Sequence, residues 1–192
     1  MHVPNSSYWV IISGKHKSRL INIPDKPNLK PTKTFIRESL FNTIDIEKCE
    51  SSLDLFSGSG ILSIEALSRG VQNVVLVEQD IELISSIKSN LLSLGENAVT
   101  VINKKVHRFL KDNKKYSFDI IFVDPPYGSN HLEETLRFLR DNEYLEKNIY
   151  LYFENSKKDK NDYKSYIQST HNIVKDLSIG DVSYTISVNK NI

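Results

Sequence analysis

Asp124, Pro125, Pro126 and Tyr127 follow the apolar run Phe118-Asp119-Ile120-Ile121-Phe122-Val123, ending it in a carboxylate, two prolines and an aromatic ring. Asp124 and the carbonyl of Pro125 are acceptors able to converge on one planar NH2 group, while Tyr127 offers a face to a flat ring. The set suits the exocyclic amine of a nucleobase. Such an amine is a poor nucleophile, because its lone pair is delocalised, until two acceptors hold its hydrogens and aim the lone pair at an electrophile. Positioning of that kind contributes roughly 7–11 kcal/mol, and no strong base is needed because the nitrogen becomes acidic as it gains its new bond. The plainer reading of the same residues is a strand-ending turn in which Asp124 caps the next helix and Tyr127 packs.

A second set precedes this one in Leu53-Asp54-Leu55-Phe56-Ser57-Gly58-Ser59-Gly60. Glycines in a turn between strand and helix let a ligand approach the backbone. The dinucleotide fingerprint G-x-G-x-x-G is absent, since Ser63 stands at its third glycine, and this disfavours a nicotinamide dehydrogenase. Beyond the turn, Glu78, followed by Gln79, is placed to accept from both hydroxyls of a ribose. The pairing suggests an adenosine-containing cofactor without a pyrophosphate. Asp54 suits a cationic amino group, and Asp54, Glu78 and Asp124 together favour a positively charged molecule such as a sulfonium.

The elements that must position these residues are legible from pattern. Residues 120–123 are β-branched or aromatic and apolar on both faces, as in a central parallel strand. Pro125 and Pro126 end that strand, and ligands in open α/β sheets bind beyond the carboxyl ends of strands. Strands are predicted at 52–56, 74–77, 98–102, 120–123 and 149–153, with helices at 61–68, 81–94, 106–110 and 131–140 and a closing hairpin of 173–177 with 182–188. Residues 155–165, rich in Lys, Asp and Asn, read as a solvated connection. The alternation implies an α/β fold with a central, mostly parallel sheet of seven strands and helices on both faces. Ahead of it, residues 8–13 and 19–23 flank Gly14-Lys15-His16-Lys17-Ser18 as a β-hairpin extension with a cationic loop, His16 being solvated. A helix follows in which Ile36, Leu40, Phe41 and Ile44 recur at helical spacing, with Thr32 or Thr34 as N-cap. Arg37 falls between those apolar positions and faces either the cofactor or solvent.

The chain's 192 residues suffice for one well-filled core with a small appendage. We divide it into a basic leader, 1–46, and a catalytic domain, 47–192. Cys49 is the single cysteine, so no disulfide framework exists, and no His/Cys cluster has metal-ligand spacing; no metal is expected. The net charge of +1 hides an asymmetry: residues 1–44 carry seven Lys/Arg against two acids, leaving the remainder at −4. A basic leader on a nearly neutral body fits an anionic partner such as nucleic acid, although a solvated charged face has the same composition. No apolar run reaches membrane-spanning length and the N-terminus lacks a signal-peptide pattern. The expectation is a cytoplasmic monomer.

Taken together, Ile11-Ile12-Ser13-Gly14-Lys15 with Arg19, Lys30-Pro31-Thr32, Ile36-Arg37-Glu38, Leu40-Phe41-Asn42, Asp54 to Gly60, Glu65-Ala66-Leu67-Ser68-Arg69-Gly70 and Phe122 to Tyr127 resemble the RsmD type of class I S-adenosylmethionine-dependent methyltransferases. The resemblance covers nearly the whole chain and weakens beyond Asn155. It implies a Rossmann-like fold and methyl transfer to the exocyclic N2 of a guanine in bacterial 16S rRNA, free or in a small-subunit assembly intermediate. It further implies that Asp54, Ser57, Gly58, Ser59 and Gly60 line the methionine end of the cofactor, with Asp124 nearby, and that Glu78 and Gln79 take the ribose. Lys105 stands where the family tends to carry an acid or amide beside the adenine, which leaves the backbone N–H of Val106 for that role. Asp124, Pro125, Pro126 and Tyr127 hold the target base, and Lys15, Lys17, Arg19, Lys30, Thr32 and Arg37 contact RNA. The rivals are an adenine-N6 DNA or protein-glutamine methyltransferase, which hold an NH2 with related strand tips, and an rRNA-binding assembly factor without turnover.

Overall fold

The computed structural model of the chain describes residues 6–27, 29, 32–112, 117–147, 149–159 and 161–191. Strands β1 (Ser6–Val10) and β2 (Leu20–Pro24) pair antiparallel, and α1 (Thr34–Thr43) leads from them to the sheet. The sheet contains β3 (Ser51–Leu55), β4 (Asn73–Glu78), β5 (Thr100–Asn103), β6 (Ile120–Val123), β7 (Tyr150–Ser156), β8 (His171–Ile179) and β9 (Val182–Asn189) in the order β5-β4-β3-β6-β7-β9-β8. Pairing is parallel from β5 through β7, and β9 runs antiparallel to both its neighbours. Between the strands lie α2 (Ile61–Ser68), α3 (Ile81–Leu94), α4 (Val106–Asp112), α5 (His131–Asp141) and the short α6 (Tyr144–Lys147). Strand order reverses between β3 and β6, which is where open α/β sheets leave a crevice at the carboxyl ends of their strands.

Side chains alternate across a strand, so each interior strand serves two cores. Ile120 and Phe122 of β6 pack in a cluster with Ile36 and Leu40 of α1, Ile64 of α2 and Ile87 of α3. Ile121 and Val123 pack on the other face with Phe109 of α4 and Leu132 and Leu136 of α5. The β1/β2 hairpin joins the first cluster through Ile11, Ile21 and Ile23, all buried. Its loop is tied down by backbone contact: Lys15 N donates to the carbonyl of Ser68 over 2.7 Å, and a Cβ at Gly14 would lie 1.8 Å from that oxygen. Only glycine permits this approach, and its φ of +83° is itself a glycine conformation.

Arg37 corrects the sequence reading, for it faces neither ligand nor solvent. Its side chain is fully buried and its Nη1 donates to Glu65 of α2 over 2.8 Å and to the carbonyl of Val10 over 3.1 Å. The guanidinium lies 5.4 Å from the Trp9 ring. Arg37 thus joins hairpin, α1 and α2, and it has no surface left for RNA. His16 is likewise not a solvated loop residue, since its Nε2 stands 2.6 Å from Glu96 Oε1. Neither threonine caps α1. Lys33 occupies that position without a side-chain cap, because Thr34 Oγ1 accepts from Arg37 Nη2 and Thr32 Oγ1 is directed to Asp124.

The connection after β7 is packed rather than merely solvated. Tyr163 and Ile167 are buried and Tyr166 Oη donates to Glu133 of α5 over 2.8 Å. Aromatic residues spaced among the lysines and aspartates supply what composition concealed.

Candidate active site

Three strand tips and one turn meet in the crevice. After β3 the chain turns through Phe56, Ser57, Gly58, Ser59 and Gly60. Phe56 lies outside the strand, at φ +64°, and Gly58 and Gly60 have φ of +53° and +74°. Ser57 fixes the turn by donating from Oγ to the carbonyl of Asp54 over 2.9 Å and from N to the carbonyl of Val77 over 3.0 Å. A Cβ at Gly60 would sit 3.1 Å from Ile87 Cγ1 and 3.2 Å from Leu76 Cδ2, so this corner packs directly on β4 and α3.

Glu78, at the tip of β4, reaches back to the turn. Its Oε2 accepts from Gly58 N over 2.8 Å, and its Oε1 accepts from Gln79 N and Asp80 N over 2.7 and 2.9 Å. These bonds fix the carboxylate at the crevice wall. Gln79 is exposed beside it. Asp80 then caps α3 by accepting from Glu82 N and Leu83 N, which sets the direction in which the chain leaves the tip. Asn103 holds the neighbouring tip of β5 by donating to the carbonyls of Glu78 and Gln79. Val106, buried, opens α4 next to exposed Lys105.

Asp54 is buried within β3 and accepts from Ser63 Oγ over 2.8 Å. Burial pushes its carboxyl up to about 7, the Ser63 hydrogen bond opposing and the Glu78 charge reinforcing. Asp124 emerges half-buried at the tip of β6. Loss of solvent, then the charges of Glu154 and Asp54, push it well above the ordinary carboxylate range, while the Thr32 hydroxyl 3.5 Å away opposes them. Tyr127 follows in a turn closed by Ser129 Oγ on the carbonyl of Pro126. Its ring is partly exposed and its hydroxyl donates to Glu154 Oε2 over 3.1 Å.

Glu154 is a site residue that the sequence reading passed over. It lies on β7 two residues before the strand's end, one position beyond the Val123–Phe153 pair, and is therefore abreast of Asp124. The signal was present: Glu154 follows the apolar run 149–153 as Asp124 follows 120–123. Its Oε1 also accepts from buried Tyr152. Among the described residues, none of Asp54, Glu78, Asp124 and Glu154 forms an ion pair, and no group of three side chains is arranged to hold a metal.

The residues expected to contact RNA are dispersed. Lys15 pairs with Glu96 over 2.6 Å, Arg19 donates to the carbonyl of Ser93 over 2.8 Å and Lys17 is exposed. Thr32 belongs to the crevice, Arg37 to the interior, and Lys30 lies outside the described residues. In the strap between the hairpin and α1, the described residues Lys26, Leu29 and Thr32 each touch a part of the site. Lys26 pairs with Asp80 and Glu82 over 2.5 and 2.7 Å, Leu29 Cδ1 would lie 3.2 Å from a Cβ at Gly58, and Thr32 reaches Asp124.

Strand order, glycine turn and acid-tipped strands define a Rossmann-like class I methyltransferase. The solved structure of YhhF from Escherichia coli, described as a methyltransferase, superposes with a TM-score of 0.80 at 30% identity, over 95% of this chain and 98% of that one. The HI0767 methylase structure from Haemophilus influenzae gives 0.77 at 28% identity, over 95% and 99%. The chain belongs to the RsmD family, whose model, described as conserved hypothetical protein 95, matches residues 9–187. Ribosomal RNA small subunit methyltransferase D of Buchnera aphidicola subsp. Baizongia pistaciae is 42% identical over 75% of this chain and 74% of its own. The protein of that name from Haemophilus influenzae is 32% identical over 98% of each.

Proposed function

We propose that this methyltransferase moves the methyl group of S-adenosylmethionine to the exocyclic N2 of a guanine in 16S rRNA. The observation that carries the reading is the placement of Asp124: its carboxyl follows the carboxyl end of β6, meets the Thr32 hydroxyl at 3.5 Å and lies within electrostatic reach of Asp54 on β3 and Glu154 on β7. The crevice suits a cationic cofactor. Burial first, and then neighbouring carboxylates, drives the carboxyls of Asp54 and Asp124 toward their protonated forms, so a positive charge brought beside them is favoured. When bound, S-adenosylmethionine supplies an electrophilic methyl on a sulfonium. Asp54 then holds its ammonium group, Ser57, Gly58, Ser59 and Gly60 line its methionine end, Glu78 and Gln79 meet its ribose, and Val106 N–H meets its adenine.

The target base lies against Tyr127. Asp124 and the Pro125 carbonyl would accept the two hydrogens of N2 and leave its lone pair free for the methyl; as the N–C bond forms and the S–C bond breaks to leave a neutral thioether, the amine proton would pass to the Asp124 carboxylate. Because N2 lies in the minor groove of a paired helix, the guanine has to be unpaired or flipped out to enter. The basic leader, residues 1–46, holds the surrounding RNA by its phosphates.

Replacing Asp124 by Ala is expected to abolish transfer of labelled methyl to small-subunit rRNA while leaving S-adenosylmethionine affinity within a few fold, measured by equilibrium binding. Full turnover by that variant would refute the role, and label found in DNA or protein in place of rRNA would refute the substrate.

A further inference from the structure

We propose that Glu154 is a positioning residue, holding the Tyr127 ring against the target base and setting the charge felt by Asp124. The inference rests on the activity proposed above and deepens it. Glu154 is buried on β7, one residue past the Val123–Phe153 pair and so abreast of Asp124, which follows β6. It lines the pocket beside the turn together with Pro125, Pro126 and Tyr127. Both of its oxygens are engaged, one by Tyr127 Oη at 3.1 Å and the other by Tyr152 Oη. Tyr152 is fully buried inside the sheet, so the sequence Tyr152, Glu154, Tyr127 is a hydrogen-bonded path from a rigid strand to a partly exposed ring. A ring so tethered presents one face to an incoming base. Without the tether it is free to rotate about its side-chain torsions, and misplacement of about 1 Å costs on the order of a hundredfold in rate.

The electrostatic half follows from the same juxtaposition. Asp124 is faced by Glu154 from β7, by Asp54 from β3 and by the Thr32 hydroxyl from the strap, while Lys33 is the cation nearest in influence to Glu154. Tyr127 and Tyr152 complete the cluster and, at neutral pH, carry no charge of their own. Two carboxyls abreast with one cation in range resist ionising together. Glu154 therefore makes Asp124 harder to deprotonate, and removing its charge moves the titration of Asp124 toward lower pH.

The test is a double-mutant cycle in labelled-methyl transfer to rRNA, with S-adenosylmethionine affinity measured separately. Glu154→Ala and Tyr127→Phe are each expected to lower kcat about tenfold or more and to leave cofactor affinity within about twofold. The double variant is expected to be no slower than the slower single one, because both cut the same link. Glu154→Gln keeps a hydrogen-bonding partner for Tyr127 and is expected to restore most of kcat, with the acid limb of its pH profile displaced to lower pH. Should Glu154→Ala not fold, Tyr127→Phe and Glu154→Gln decide alone, by the loss in kcat and the displaced limb respectively. Additive losses, an undiminished Tyr127→Phe enzyme or an unmoved acid limb in Glu154→Gln overturn the assignment. Absence of any methyl transfer by the unaltered protein overturns the proposed activity together with this inference, whereas an active protein with additive variants overturns this inference alone.

Discussion

Asp54 places stability and binding in opposition. Its carboxyl has an ordinary value of 3.8 and is pushed up to about 7 in the fold, chiefly by burial, so the native state holds the proton more tightly than the unfolded chain does. The sign follows: Asp54 costs nothing below about pH 4, costs progressively more as pH rises toward 7, and costs a constant amount above it. Asp54→Asn keeps an acceptor for Ser63 Oγ and removes the charge. At pH 8 the variant is expected to be more stable than the unaltered protein by up to a few kcal/mol, and at pH 4 the two should unfold together, as followed by thermal melts across that range. The same substitution removes the carboxylate proposed to hold the cofactor's ammonium group, so the stabilised variant should bind S-adenosylmethionine poorly. In the unaltered protein, binding should release protons below pH 7, read by calorimetry in two buffers of different ionisation enthalpy.

At the scale of elements, the acidic site residues lie at or near the carboxyl ends of parallel strands. β3, β4, β6 and β7 run parallel and are each buried on both faces. Their apolar residues are therefore visible in sequence, and the first polar residue past each run marks a tip. That is why Glu78 and Asp124 were readable, and Glu154 was readable in principle. What pattern does not carry is contact across long sequence distance. Arg37 looks like a surface cation on an amphipathic helix until Glu65 and the Val10 carbonyl are brought to it by tertiary packing. Thr32 and Thr34 look like caps until Asp124 and Arg37 claim their hydroxyls. Gly14 is of the same kind, an ordinary turn glycine in sequence whose neighbour is the carbonyl at the end of α2. Gly14→Ala meets that oxygen at 1.8 Å, and backbone cannot yield as a side chain does. The hairpin has to lift, with an expected loss of about 2 kcal/mol or more, equivalent to roughly 4 °C or more in Tm for a chain of this size. A melting temperature equal to that of the unaltered protein would show that the hairpin is not held by this contact.

Across the whole molecule, the basic leader is less free and more distant than its composition suggests. Of its cations, Lys26 is pinned by Asp80 and Glu82, Lys15 by Glu96, Arg19 lies on a carbonyl, and Arg37 is buried. The hairpin runs alongside α3: Lys26 meets Asp80 at the N-terminal end, Asn22 exchanges hydrogen bonds with Asn90, and His16 meets Glu96 just past the C-terminal end. Since α3 has 14 residues and rises about 1.5 Å per residue, the cationic loop lies roughly 20 Å from the strand tips. On the proposed substrate, phosphates gripped there would belong to RNA well away from the target guanine. In the hairpin loop, Lys17, exposed and without an ion pair among the described residues, has charge to give. For a long rRNA fragment, Lys17→Ala should reduce the slope of log affinity against log salt by about 0.7 to 1, whereas Lys15→Ala, whose charge Glu96 already offsets, should change it less. For an oligonucleotide too short to span 20 Å from the crevice, neither substitution should alter the slope. A Lys17→Ala protein with an unchanged slope on the long fragment would remove the hairpin loop from the RNA-binding surface and leave the strap and crevice as its remaining contacts.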